Sequence, residues 1–173
     1  MKKLFFLPFK HLKIKKKKDI YTLNLFNDDK TYLNKNIIDI KINHLKSNAR
    51  ARKLEKKIKK FLITKLNEIH EINFNERQWD IILGYWVRRF SNIISYRFFL
   101  INQLTKKYNF KNFLFCKNHI KEICNKNSYS FIKSTNDAYW NDILFFKIIN
   151  LKNEFYKKKY KFEFISNKKF LIK

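Results

Sequence analysis

Apolar and polar positions change their period several times along the chain, and each change marks an element. Two short apolar runs near the start, residues 4–9 and 20–26, predict strands, and the basic run at 13–18 between them predicts a solvated loop. From Ser47, the predicted N-cap, the period becomes three and four. Leu54, Ile58, Phe61, Leu62, Lys65, Leu66 and Ile69 then share a helix face as far as His70, with Lys and Arg opposite. The clearest periodicity follows. Asn75, with Gln78 three residues on, has the form of a capping box, and Trp79, Ile82, Leu83, Trp86, Phe90, Ile93, Ile94, Arg97, Ile101 and Leu104 fall on one stripe. That stripe predicts a helix from 75 to about 108 laid against a core. At about 1.5 Å per residue it is nearly 50 Å long, so a break or kink is expected, with Gly84 the place for it.

Downstream, 112–116 predicts a strand, 120–124 a short helix and 129–132 a short strand. Thr135-Asn136-Asp137 opens another helix carrying Tyr139, Trp140, Ile143, Leu144, Phe146 and Ile148. In the tail, Lys alternates with Tyr160, Phe162, Phe164 and Phe170, which predicts a short hairpin turning at Asn167 or a frayed end. The fold class is therefore α/β and helix-rich: short strands packed with a long central amphipathic helix. Residues 1–46 would carry the N-terminal strands and basic loop, and 47–173 the helical portion of the same single domain.

A chain of 173 residues buries about two-thirds of its unfolded surface, enough for a core. Its net charge of +26 points to polyanions, yet one Gly and one Pro among abundant Lys, Asn, Ile and Phe have the look of an AT-rich genome. A basic nucleic-acid-binding module therefore stands as the alternative function, beside a non-catalytic interaction protein. In the Trp-bearing helix the uncharged run 81–87 stops at Arg88-Arg89, against about 20 residues for a span, so no transmembrane segment is expected. The apolar run after Met1-Lys2-Lys3 is too short for a secretory signal, and two cysteines make no disulfide framework. The expected location is cytoplasmic, peripheral to the inner membrane at most.

The segment Leu66-Asn67-Glu68-Ile69-His70, then Asn73, then Arg77-Gln78-Trp79-Asp80-Ile81-Ile82-Leu83-Gly84-Tyr85-Trp86-Val87 resembles the N-terminal part of a transferase family associated with O-antigen and surface-polysaccharide biosynthesis. The matching positions are Leu66, Asn67, His70, Arg77, Trp79, Ile81, Gly84 and Trp86. Trp140-Asn141-Asp142-Ile143-Leu144 with Ile148-Ile149 resembles that family's later W-N-x-x-L…I-I stretch. Departures occur at Glu71, Asn75, Gln78, Asp80 and Tyr85. The resemblance implies a glycosyltransferase-like activity on a nucleotide-sugar-type donor, with the donor-binding half absent from this chain and supplied either by a second polypeptide or, if the gene is truncated, by nothing. No cofactor is expected within the chain itself, which has no Gly-rich loop for a diphosphate.

The site residues follow from both sources. Arg77, Asp80, Gly84 and Arg88 share a helix face, with His70 just upstream, which makes a pocket for a carbohydrate or anionic ligand; His70 is the candidate catalytic base. The plainer alternative pairs Arg77 with Asp80 or Glu76 and leaves His70 capping its helix. The resemblance adds Asn67, Trp79, Trp86, Trp140 and Asn141 to Arg77, Gly84 and Arg88 as ligand-binding candidates, while two Trp seven residues apart also suit a core. Cys116, His119 and Cys124 make C-x2-H-x4-C without an evident fourth ligand, so no metal site is assigned.

Overall fold

In a computed structural model of the chain, residues 2–6, 19–23, 37–38, 40, 43–117, 123, 125–157 and 159–165 are described. They form five strands and four helices: β1 (Lys3–Phe5), β2 (Ile20–Leu23), β3 (Ile37–Ile38), α1 (His44–His70), α2 (Glu76–Lys107), β4 (Asn112–Cys116), α3 (Ser128–Ser134), α4 (Ala138–Tyr156) and β5 (Lys161–Ile165). The predicted basic loop at 13–18, the short helix at 120–124 except Ile123, and the turn at Asn167 lie outside the described residues. The chain divides into two compact units, one of Met1–Lys41 with Ile101–Lys173, the other Ile42–Leu100.

The first unit holds a parallel sheet in the order β3-β2-β1-β4-β5. All five residues of β4 are buried, the mark of a central parallel strand covered on both faces. Alternation along β4 sorts its side chains. Phe113 and Phe115 stack with Phe6, whose ring lies 4.1 Å from that of Phe145 on α4, while Leu114 and Cys116 join Phe5 and Ile20 in a second cluster. Helix α4 is apolar nearly all round and buries residues 140–145, as a helix under a sheet must. At the sheet edge β5 pairs in parallel with β4, from Asn112 opposite Lys161 to Cys116 opposite Ile165.

Residues 129–132 are helical rather than extended. Asn127 accepts the Ser130 N–H at 2.8 Å and the Ser130 hydroxyl accepts the Asn127 N–H at 3.2 Å, a reciprocal box that starts α3 whatever its β-branched content.

The second unit is an antiparallel helical hairpin of α1 and the part of α2 up to Leu100. Helix α1 begins three residues before the predicted cap, because the Asn43 side chain accepts the Lys46 N–H at 3.0 Å. Ser47 is instead buried inside the helix with Ala51, and Gly84, Ser91 and Ser95 are the buried small residues of α2. The predicted stripes are accordingly rotated. Phe61 and Ile69 of α1 and Ile82 of α2 are 63%, 68% and 57% exposed, while Val87, Ser91 and Ser95 are buried. The capping box at Asn75 and Gln78 is present, with both bonds between 2.8 and 3.0 Å.

Helix α2 runs through Gly84 without a break. A Cβ at Gly84 would stand 2.8 Å from Asp80 Oδ1. That carboxylate is exposed enough to swing away, giving up its 2.5 Å ion pair with Lys59. The lost pair, at about 0–1 kcal/mol, offsets a helix-propensity gain of about 1 kcal/mol. Gly84→Ala is therefore expected to shift stability by less than about 1 kcal/mol in urea denaturation. A loss above about 2 kcal/mol would show that Asp80 is not the group that limits the space.

Candidate functional site

The order β3-β2-β1-β4-β5 sends the chain one way from β1 to β2 and β3 and the other way from β4 to β5. A parallel sheet of this kind has its topological switch point between the first strand and its neighbour on the other side, here β1 and β4, and ligands of doubly wound sheets bind at the strands' carboxyl ends there. Cys116 ends β4 at this edge. Its backbone N–H donates to Asp142 Oδ2 at 3.0 Å, tying the strand end to the second turn of α4. The other carboxylate oxygen, Oδ1, is buried with no hydrogen-bond partner among the described residues.

Asp142 is 3% exposed, and burial pushes its carboxyl up to about 7 against the opposing pull of the Cys116 N–H. Tyr139 lies one turn earlier on the same helix and packs against the Cys116 cluster. Burial raises the Tyr139 phenol to about 12, with Cys116, Asp137 and Asp142 adding to the shift. Burial likewise raises the Cys116 thiol to about 12, reinforced by Asp142. Both groups are thereby held in their protonated forms near neutrality. The N-terminus of α4 is no anion site, because Asp137 already accepts the Trp140 N–H at 2.7 Å.

The sequence-predicted residues divide between the units. Trp140 and Asn141 belong to the sheet unit. The Trp140 indole donates to the Ile123 carbonyl at 3.3 Å, and the Asn141 amide donates to the carbonyls of Thr135 and Asp137 at 2.9 and 2.7 Å, holding the α3–α4 turn. Asn67, His70, Arg77, Trp79, Gly84, Trp86 and Arg88 lie in the hairpin. Asn67 closes the turn between its helices: its Oδ1 accepts from Phe74 N–H at 3.2 Å and from Trp79 Nε1 at 2.8 Å, and its Nδ2 donates to the Phe74 carbonyl at 2.9 Å. His70 is exposed in the last turn of α1, with Glu71 as the C-cap, and Arg77 is exposed in the first turn of α2. Asp80 pairs with Lys59 across the hairpin, and the Asp80 carboxylate holds that ammonium above its usual value. Trp86 is half-buried with its ring stacked 5.1 Å from Phe90.

Beside Trp79 and Gly84 the hairpin leaves a space of about 10 Å³, too small for a substrate. A larger cleft, about 460 Å³, is lined by Asn48, Arg52, Glu55, Arg88 and Asn92. Of the expected ligand residues only Arg88 reaches it. Asp142 was legible as a charged residue inside the apolar run 140–145, since an acid on a helix face that must be buried is a departure with a cause. Asn48, Arg52 and Glu55 could have been picked out by their spacing on one face of α1. Of the Cys116, His119 and Cys124 triplet, His119 and Cys124 lie outside the described residues, and no group of three metal-binding side chains occurs among the described ones.

A parallel five-stranded sheet with a buried carboxyl beside its switch point is an arrangement of α/β proteins whose ligands meet the carboxyl edge. The chain belongs to the LIC12162 family of transferases, whose family model matches residues 19–172. It matches no curated protein and no solved structure. No helix among the described residues is long and apolar enough to cross a membrane.

Proposed function

We propose that the chain forms part of a glycosyltransferase-like enzyme of surface-polysaccharide synthesis, which takes a sugar-linked substrate at the carboxyl edge of the sheet with Asp142 as the proton-handling group. Family membership supports transfer as the reaction type. The similarity of residues 66–87 and 140–149 to O-antigen-type transferases supports a carbohydrate as the material transferred. The observation that carries the reading is the Oδ1 of Asp142, a buried oxygen without a partner among the described residues, at the switch point of a parallel sheet. In glycosyl transfer an acceptor hydroxyl forms a new C–O bond as the bond to the leaving diphosphate breaks. The hydroxyl proton then passes to a base, and a carboxyl near 7 is matched to that task.

The test is complementation of a strain in which the gene is disrupted, reading surface polysaccharide by gel and by sugar composition. Loss of glycan on disruption is expected, with rescue by the wild type and by His70→Ala but not by Asp142→Asn at equal protein level. Unchanged glycan after disruption overturns the polysaccharide reading. Rescue by Asp142→Asn with failure of His70→Ala would instead make the exposed histidine the base.

A further inference from the structure

A transferase with a diphosphate-bearing ligand needs a place for the phosphates, and this sequence has one glycine, which lies inside α2. No glycine-rich turn is available to cradle them, and α4 begins on an aspartate cap. What this chain offers a phosphate is therefore its side-chain donors. Among 40 cationic residues the sequence has six arginines, all between Arg50 and Arg97, and a planar guanidinium grips phosphate through paired hydrogen bonds where a lysine acts as a point charge.

Two of the six line the polar cleft of the hairpin. Asn48, Arg52 and Glu55 share one face of α1, and Arg88 and Asn92 one face of α2. Glu55 does not spoil the cleft for an anion, because its carboxylate is already shared between Lys59 at 3.2 Å and Arg88 Nε at 3.3 Å. Arg88 spends only Nε on that contact, so its terminal nitrogens, like the whole guanidinium of Arg52, have no partner among the described residues. A space of about 460 Å³ falls within the size of small-ligand sites.

We propose that this cleft is a diphosphate clamp, in which Arg52 and Arg88 grip the phosphate oxygens and the amides of Asn48 and Asn92 hydrogen-bond the group that carries them. The proposal rests on the transferase reading only for the source of the diphosphate; the binding itself is read directly.

Inorganic pyrophosphate titrated into the isotope-labelled full chain at about 0.15 M salt, where exposed charges are screened within about 8 Å, tests it by the Nε–Hε signals of the arginines. Saturable shifts at Arg52 and Arg88 are expected. Arg52→Ala, which breaks no ion pair, should weaken binding about tenfold or more, and Arg88→Lys should fail to restore the wild-type affinity. Lys53→Ala with Lys57→Ala, on the far side of α1, should leave it unchanged. An equal loss from the lysine pair would reduce the effect to diffuse charge and overturn the clamp. So would displacement of pyrophosphate by a single-stranded oligonucleotide at lower phosphate concentration, which would mark the cleft as a nucleic-acid surface. Normal glycan dependence on the gene with no shift at either arginine would sink the clamp and leave the polysaccharide reading standing.

Discussion

At pH 8, Asp142→Asn is expected to stabilise the protein against urea by up to about 4 kcal/mol, and at pH 4 to change it little. The sign follows from the direction of the shift. The carboxyl titrates near 7 when folded and near 3.8 when free. Below about pH 4 both states carry it neutral, so it costs nothing. As pH rises from 3.8 toward 7 the unfolded chain ionises while the folded one holds its proton, and stability falls. Above 7 the folded protein carries a buried charge, and the whole difference persists. Asparagine keeps an oxygen to accept the Cys116 N–H and never ionises, so it removes the penalty without cutting the tie between β4 and α4. Equal stabilities of the two proteins at pH 8 would show that the carboxyl is not held neutral by burial. Gain of stability with loss of glycan output in one substitution is the signature of a group kept for function at a cost to the fold.

Trp79→Ala is expected to cost about 3–5 kcal/mol, read by urea denaturation followed by circular dichroism. The indole is buried, packs 5.6 Å from the Phe74 ring and donates to Asn67, so its loss removes core volume and leaves an acceptor short of a donor at the turn. Trp79→Phe separates the two effects. It retains most of the packing and is expected to cost about 1–2 kcal/mol. Because Asn67 holds Phe74 and Trp79 together, Asn67→Ala and Trp79→Ala should be non-additive, with a coupling of about 1 kcal/mol or more in a double-mutant cycle. A cost below about 1 kcal/mol for Trp79→Ala would mean that the hairpin is not held at this turn.

Legibility differed by element. The capping box at Asn75 and Gln78 and the helix it opens were readable because both the signal and the bonds are local. Helix α4 was readable from Asp137 and the apolar run after it for the same reason. The start of α1 was misplaced since both Asn43 and Ser47 can cap, and the burial of Ser47 that decides between them is a property of packing. The stretch 129–132 misled because its aromatic and β-branched residues favour a strand locally, while the Asn127–Ser130 box favours a helix by two hydrogen bonds. For the site, Arg88 was foreseen, but its cleft partners Asn48, Arg52 and Glu55 come from a helix begun more than thirty positions earlier.

Periodicity and capping chemistry in the sequence alone determined where the long helices run and that the apolar runs holding Leu4, Ile20 and Phe113 become strands, because those preferences are settled within one or two turns of chain. Only the tertiary structure decided that the strands align in parallel as β3-β2-β1-β4-β5, which faces of α1 and α2 are buried, and that an acid on α4 meets the end of β4. Strand order and burial depend on contacts between residues far apart in sequence, and the energy of an unpartnered carboxyl exists only once the surrounding water has been removed.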